Sequence, residues 1–167
     1  MKIAVEAAKK LDKVIIVPTI CDYYRPDSRK LFTFDEKVAI ITKMISNAPG
    51  NIVIDSLEKD KDSKWRTINT VEEFKKLYPN DELYLIIGED SYKNFPTWFR
   101  YEDILLMATL MVVQRGNSRD DVEKVIPCEE LYIGKDFLEA SSSKVRNKLI
   151  SELMEMYLDD ADWYNKL

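Results

Sequence analysis

Two apolar runs in the middle of the chain are followed by side chains that could hold a small ligand. The first run, Leu83 to Ile87, is followed by Asp90, and the second, Thr109 to Val113, leads to Arg115, with Trp98 between the two runs. A carboxylate can accept hydrogen bonds from ligand hydroxyls, and an aromatic face suits a flat ring. Ligands in open α/β sheets bind at the carboxyl ends of the strands. This spacing therefore predicts a small-molecule site at those ends.

A second polar cluster lies downstream, where Ser141, Ser142 and Ser143 precede a predicted helix that also carries Arg146. Serine hydroxyls and free backbone N–H groups at a helix N-terminus can hold an anion. The cluster therefore predicts an anion site. An ordinary N-cap is the alternative, because serine is common at that position.

Helical and strand-like patterns alternate along the chain. Apolar spacing predicts helices over 3–11, 35–46, 70–77, 101–107 and 143–158, a further helical stretch over 120–125, and strands over 13–17, 52–54, 83–87, 109–113 and 131–133. Strands separated by helices indicate an α/β fold with a doubly wound parallel sheet. No linker or repeat divides the sequence, so we expect one domain over 1–167.

Composition narrows the class of protein. The net charge is −5 with acids and bases interspersed, which provides no basic face for a nucleic acid. Cys21 and Cys128 are isolated and no histidine is present, so we expect no zinc site, no disulfide scaffold and a reducing cytoplasm as the compartment. No apolar run reaches the roughly 18 residues of a membrane span and no leader pattern opens the chain, so no membrane partner is expected.

Three elements of the sequence, I-G-E-D-S at 87–91, F-P-T-W at 95–98 and V-V-Q-R at 112–115, resemble those of the bacterial nicotinate mononucleotide adenylyltransferases in order and spacing. The stretch A-S-S-S-K-V-R at 140–146 resembles the I-S-S-T-x-I-R signature of the wider nucleotidyltransferase superfamily. The resemblance implies a Rossmann-like nucleotidyltransferase fold over 1–167. It also implies adenylyl transfer from ATP to nicotinate mononucleotide, giving deamido-NAD and pyrophosphate in NAD biosynthesis, with Mg²⁺ accompanying ATP. The F-P-T-W element argues against a pantetheine-phosphate adenylyltransferase, which shares a serine signature of this type.

The resemblance also implies roles for individual residues. The implied ATP-binding residues are Asp90, Arg115, Ser141, Ser142, Ser143 and Arg146, and the implied mononucleotide-binding residues are Trp98, Thr67 and Lys30. In the family the matching tryptophan stacks on the pyridine ring, and Thr67 falls in T-I-N-T, which resembles the family's T-x-D-T with Asn69 in place of the acid. Purely structural roles for these residues stay open at this point: a Trp98 ring folded onto the core, helix capping by Asp90, Thr67 or Asn69, and solvated surface positions for Arg115 and Lys30.

The chain departs from the family at its amino terminus. The family opens with a strand, a glycine-bearing turn and H-x-G-H, whereas Met1 to Val14 resembles the family's segment immediately after the second histidine. We therefore expect the first central strand of the sheet to be missing from this chain, which would leave two open strand edges and favour self-association. Three origins of this departure stay open: an upstream extension or misassigned start, a degenerate paralogue, and completion by another chain. No catalytic residue is identified, and a non-catalytic nucleotide-binding or interaction module is the alternative function.

Overall fold

Helices and strands alternate in the computed structural model, which describes residues 2–19, 32–62, 64–114 and 126–132. The helices are α1 (Lys2–Ala8), α2 (Phe34–Ile45), α3 (Thr67–Leu77), α4 (Glu89–Lys93) and α5 (Tyr101–Met107), and the strands are β1 (Val14–Ile16), β2 (Ile52–Ile54), β3 (Leu83–Gly88), β4 (Ala108–Gln114) and β5 (Glu129–Tyr132). A 3-10 turn spans Phe95–Thr97. Within the described ranges, no helix is long and apolar enough to cross a bilayer.

Every strand pair of the described residues is parallel, as the alternation predicts. β1 pairs with β2 in the register Val14↔Ile52, and β3 pairs with β4 from Leu83↔Ala108 onward. β5 continues the second sheet along the other edge of β4. In the part of the chain that the structure describes, the strands thus form two sheets, β1-β2 and β3-β4-β5. β1 has a described partner on one edge only, and so has β3.

β4 is buried on both of its faces. Leu110 and Val112 point to one face and belong to a hydrophobic cluster with residues of α3, α4 and α5. Met111 and Val113 alternate with them and are also fully buried, at 1% exposure each. Burial on both faces is typical of an inner strand in a parallel α/β sheet. The inner position of β4 explains why the run from Thr109 to Val113 is continuously apolar.

Capping interactions fix the first two helices. At the start of α2, the Thr33 hydroxyl accepts a hydrogen bond from the Glu36 N–H at 3.3 Å, and the Glu36 carboxylate accepts one from the Thr33 N–H at 2.7 Å. This reciprocal arrangement is a capping box. After α1, the Asn51 side-chain amide donates to the carbonyl oxygens of Ala8 at 2.9 Å and Leu11 at 3.0 Å. The amide joins the end of α1 to the start of β2.

Element boundaries differ from the predicted ones where local hydrogen bonds decide them. α3 begins at Thr67 rather than at residue 70, and α1 ends at Ala8 rather than at residue 11. α4 is a short helix that lies outside the helices predicted from apolar spacing. The predicted helices over 120–125 and 143–158 lie outside the described residues, and the single domain over 1–167 stays a prediction.

Candidate functional site

The three described residues to which the resemblance assigns a ligand role lie on elements that share one core. Thr67 begins α3, Asp90 lies in α4, and Trp98 follows the 3-10 turn. Each of these elements contributes a side chain to the same buried cluster, namely Ile68, Tyr92 and Phe95. α4 follows the carboxyl end of β3, and α5 runs back to the start of β4, so the segment before α5 lies on the carboxyl side of the sheet. This is the side on which parallel α/β sheets bind ligands.

Trp98 is partly buried and its ring packs against the core. Its ring centroid lies 5.2 Å from that of Phe95 at an interplanar angle of 49°, and it packs against the buried cluster. The backbone N–H of Trp98 donates to the Phe95 carbonyl at 2.9 Å, which closes the turn beneath the ring. The Trp98 ring therefore does contact the core, which the sequence had left open. Trp98 as a whole residue is only partly buried, which leaves room for the ring to take part in stacking on a flat ligand.

The segment after Trp98 turns sharply into α5 at Arg100. Arg100 has a left-handed backbone, with φ 55° and ψ 41°, and is the residue before the first turn of α5. Its guanidinium lies 3.0 Å from Glu72 on α3 and 2.5 Å from Asp103 on α5. The hydrogen bond to Asp103 raises the pKa of the Arg100 guanidinium above its usual value. Sequence reasoning missed this residue, since no motif marks it.

Asp90 is exposed and does not cap the helix in which it lies. The N-cap of α4 is Gly88, with no side-chain cap hydrogen bond, and Asp90 is the second residue of the helix. Its carbonyl oxygen accepts from the Asn94 side-chain amide at 2.9 Å. A Cβ added at Gly88 would meet no other atom of the described residues within 4 Å. Among the described residues, space is therefore left beside Gly88 at the end of β3, where a ligand can approach the backbone.

At the start of α3, Asn69 and not Thr67 caps the helix. The Arg66 N–H donates to Asn69 Oδ1 at 3.0 Å. Asn69 thus takes the capping role that the sequence had left open between the two residues. Thr67 is the first helical residue and is partly buried.

A polar network, which no sequence motif indicates, connects residues before α3 to that helix. The Trp65 indole N–H donates to the Thr70 hydroxyl at 2.8 Å, and this hydroxyl donates to Glu58 Oε1 at 2.7 Å. Glu58 is 9% exposed, and the Lys61 Nζ atom lies 4.6 Å above the Trp65 ring. A carboxylate this deeply buried is stable only when hydrogen-bonded, so the network joins Glu58 and Trp65 to the first turn of α3.

The other residues with an implied ligand role are Lys30, Arg115, Ser141, Ser142, Ser143 and Arg146, all of which lie outside the described residues. Residues 2–19, 32–62, 64–114 and 126–132 contain no group of three or more metal-ligating side chains. A shallow depression of about 300 Å³ at the start of α5 is lined by Arg100, Tyr101, Glu102 and Asp103, and none of the residues with an implied ligand role lines it.

Comparisons with known proteins agree on a family. Residues 1–148 match the family model described as cytidylyltransferase-like. A relative from Trichlorobacter lovleyi, called a probable nicotinate-nucleotide adenylyltransferase, is 32% identical over 153 residues, which cover 88% of this chain and 68% of the relative. A relative of the same name from Citrifermentans bemidjiense is 31% identical over 120 residues, or 71% of this chain, and the match spans only 55% of that relative's length.

Solved structures show the same fold. The Plasmodium falciparum nicotinic acid mononucleotide adenylyltransferase complexed with NaAD superposes with a TM-score of 0.70 at 19% identity, covering 96% of this chain and 88% of that chain. The same enzyme complexed with APC gives a TM-score of 0.69, also at 19% identity, covering 87% of this chain and 74% of that one. These superpositions confirm the predicted nucleotidyltransferase-like α/β fold. With most of its length matched by the family model, the chain belongs to the cytidylyltransferase-like family.

Proposed function

We propose that this chain transfers the adenylyl group of ATP to nicotinate mononucleotide, giving deamido-NAD and pyrophosphate in NAD biosynthesis. The observation that carries the proposal is Trp98, whose ring packs on Phe95 on the carboxyl side of a parallel sheet and which as a residue is only partly buried. The names of the relatives from Trichlorobacter lovleyi and Citrifermentans bemidjiense support the same reaction.

In the proposed reaction, a phosphate oxygen of the mononucleotide attacks the α-phosphorus of ATP in line. A new P–O bond forms there, the bond from the α-phosphorus to the bridging oxygen breaks, and pyrophosphate leaves with that bond's electron pair. No protein nucleophile is needed, so the chain contributes positioning and charge. We assign ring stacking to Trp98, contacts near the nicotinate end to Thr67 and the mononucleotide phosphate to Lys30.

We assign the ATP side of the proposed site to a different set of residues. Asp90, exposed beside the open end of β3, can accept hydrogen bonds from ribose hydroxyls. We assign the triphosphate to the cluster Ser141, Ser142 and Ser143 with Arg146, and the adenylate to Arg115. These assignments divide the two nucleotides between different parts of the chain, which makes them separable by experiment.

Magnesium fits this site as an ion carried by the substrate. Mg²⁺ takes ligands from substrate phosphates and water together with one or two carboxylates, and needs no cage of protein ligands. The described part of the chain has no cluster of metal-ligating side chains, and Asp90 offers a single exposed carboxylate near the site. When bound, the ion would supply positive charge against the phosphates.

We expect these 167 residues to bind nucleotides but to turn over slowly. The sequence contains no histidine, whereas the family that it resembles uses its H-x-G-H histidines to hold the transition state. Loss of preorganised charge at a reacting phosphate costs orders of magnitude in rate. We also propose a reducing cytoplasm, because the thiols are isolated in sequence. We further propose self-association through the edges of β1 and β3 that have no partner among the described residues.

The proposal is tested by measuring pyrophosphate release together with the separate affinities for ATP and nicotinate mononucleotide. Trp98→Ala is expected to weaken mononucleotide binding by about 5- to 150-fold, the range that corresponds to loss of one base-stacking contact, and to leave ATP binding nearly unchanged. Phe99→Ala is the matched control, because Phe99 lies next in the chain and is 63% exposed. Arg146→Ala is expected to weaken mainly ATP.

Each outcome has a distinct meaning. Equal losses for both nucleotides in Trp98→Ala would contradict the stacking role. An unchanged ATP affinity in Arg146→Ala would remove that residue from the site. Binding of both nucleotides with no detectable pyrophosphate release would favour the non-catalytic module, and binding of neither would refute the proposed function for these 167 residues.

A further inference from the structure

Arg100 connects the segment that carries Trp98 to helix α3. Its Nη1 atom lies 3.0 Å from Glu72 Oε1, and its Nε atom donates to Asp103 Oδ2 at 2.5 Å. Glu72 lies on the helix that Thr67 begins, and Asp103 lies in the first turn of α5. One guanidinium therefore ties together α3, the start of α5 and the segment between Trp98 and α5.

The backbone conformation of Arg100 also indicates that surrounding contacts hold this residue in place. Among the described residues it is the only non-glycine residue with a positive φ. A left-handed conformation is unfavourable for a residue with a β-carbon and persists where surrounding contacts stabilise it. The main chain also starts α5 at this residue, since the Asp103 N–H donates to the Arg100 carbonyl at 3.1 Å. The turn that follows Trp98 is thus fixed through both the side chain and the main chain of Arg100.

The charges around Arg100 argue against a direct phosphate contact. One guanidinium faces two carboxylates, those of Glu72 and Asp103, so the group as a whole carries excess negative charge. Such a group repels a phosphate rather than binding it. The guanidinium is committed to contacts within the protein.

We propose that Arg100 is a positioning residue for mononucleotide recognition, whose bridge to Glu72 sets the position of the Trp98 ring relative to the start of α3. The inference rests on the proposed function, in which Trp98 and Thr67 contact the same nucleotide. The side chains of Arg100 and Glu72 are 45% and 31% exposed, so solvent screens the pair. We therefore expect a modest effect on affinity, about two- to fivefold.

The first experiment needs no ligand. The chain contains three tryptophans, so 5-fluorotryptophan labelling gives three ¹⁹F resonances, and Trp98→Phe identifies that of Trp98. Arg100→Asn introduces a residue that tolerates the left-handed backbone but whose side chain is too short to reach Glu72. We expect Arg100→Asn and Glu72→Gln each to shift or broaden the Trp98 resonance. Lys76→Gln, which breaks the exposed Lys76–Glu73 pair on the same helix, is the matched control and should leave it unchanged. An unchanged Trp98 resonance in Arg100→Asn would overturn the inference.

The second experiment measures affinities for the two nucleotides. Arg100→Asn should weaken nicotinate mononucleotide binding about two- to fivefold and leave ATP binding unchanged, and Arg100→Lys should restore part of the loss. The double variant Arg100→Asn/Glu72→Gln should bind the mononucleotide about as well as the single variant with the lower affinity, because the two single substitutions remove the same bridge. Equal weakening for ATP, or full additivity, would contradict the positioning role. Failure of the unmodified chain to bind the mononucleotide would refute the proposed function instead, while the ¹⁹F spectra would still decide whether Arg100 positions Trp98.

Discussion

The hydroxyl of Tyr92 offers a stringent test of how α4 is held. Tyr92 is 3% exposed, and its hydroxyl donates to the Ile126 carbonyl at 2.6 Å. The Ile126 N–H in turn donates to the same hydroxyl at 3.2 Å. One oxygen atom therefore satisfies both main-chain groups of a residue that is itself buried. Through it, the helix that carries Asp90 is joined to the segment before β5.

The expected cost of Tyr92→Phe follows from this geometry. The ring stays in place, so no cavity forms and the loss is confined to hydrogen bonds. The Ile126 carbonyl and N–H both lose a partner inside the protein. A buried polar group left without a partner costs about 1–3 kcal/mol, so two groups give at least about 2 kcal/mol in the free energy of unfolding. For a chain of this size that corresponds to a fall in Tm of roughly 4–8 °C.

Urea unfolding followed by far-UV circular dichroism measures the effect, with Tyr84→Phe as the matched control. The Tyr84 hydroxyl lies 3.3 Å from the Glu129 carboxylate at the protein surface, so its removal leaves water free to replace the bond. We expect little or no change in the control. A Tyr92→Phe variant as stable as Tyr84→Phe would show that water reaches Ile126, and the reasoning from burial would then be wrong.

Two further substitutions test the capping box and the network before α3. Thr33→Ala should lower the free energy of unfolding by about 1 kcal/mol. The hydrogen bonds from the Thr33 backbone and hydroxyl lower the pKa of Glu36 below 4.5. The variant loses only the hydroxyl bond to this carboxylate, whose contribution is present above that pH and is lost as the pH falls through the lower folded-state value. Thermal unfolding should therefore show a smaller difference between Thr33→Ala and the unmodified chain at about pH 3 than at about pH 7. Thr70→Val should lower the free energy of unfolding in urea by about 1–3 kcal/mol, because the Glu58 carboxylate and the Trp65 indole N–H each lose the Thr70 hydroxyl as partner. The control Thr42→Val, at an exposed position, should change this free energy little. A cost for Thr70→Val no larger than that of Thr42→Val would contradict the network's role.

Elements with a strong apolar signal could be predicted from the sequence, and elements fixed by local hydrogen bonds could not. The apolar run from Thr109 to Val113 is typical of a strand covered on both faces, and it lies within β4. α4 has five residues, which is too short for a helical period to be visible. The start of α3 is set by one side chain, since Asn69 accepts from the Arg66 N–H.

The same distinction holds for the candidate site. Trp98 could be proposed from F-P-T-W because the motif is contiguous in sequence. Arg100 and Glu72 could not be paired in advance, because they lie on different elements and charged residues are abundant throughout the chain. Glu58 gave no signal either: an acid in a polar loop is ordinarily solvated, and only the fold brings the Thr70 hydroxyl to it.

The charges in the described part of the site separate ring recognition from phosphate chemistry. The positive charge of Arg100, which follows Trp98 closely in the chain, is neutralised by Glu72 and Asp103. Such surroundings do not suit a triphosphate, whose binding needs positive charge. We therefore expect the phosphates to depend on the basic residues assigned to them and on Mg²⁺. It follows from the proposed stacking role that Trp98 should bind the ring of the mononucleotide independently of the residues that hold the triphosphate, because the ring contact does not use their positive charge.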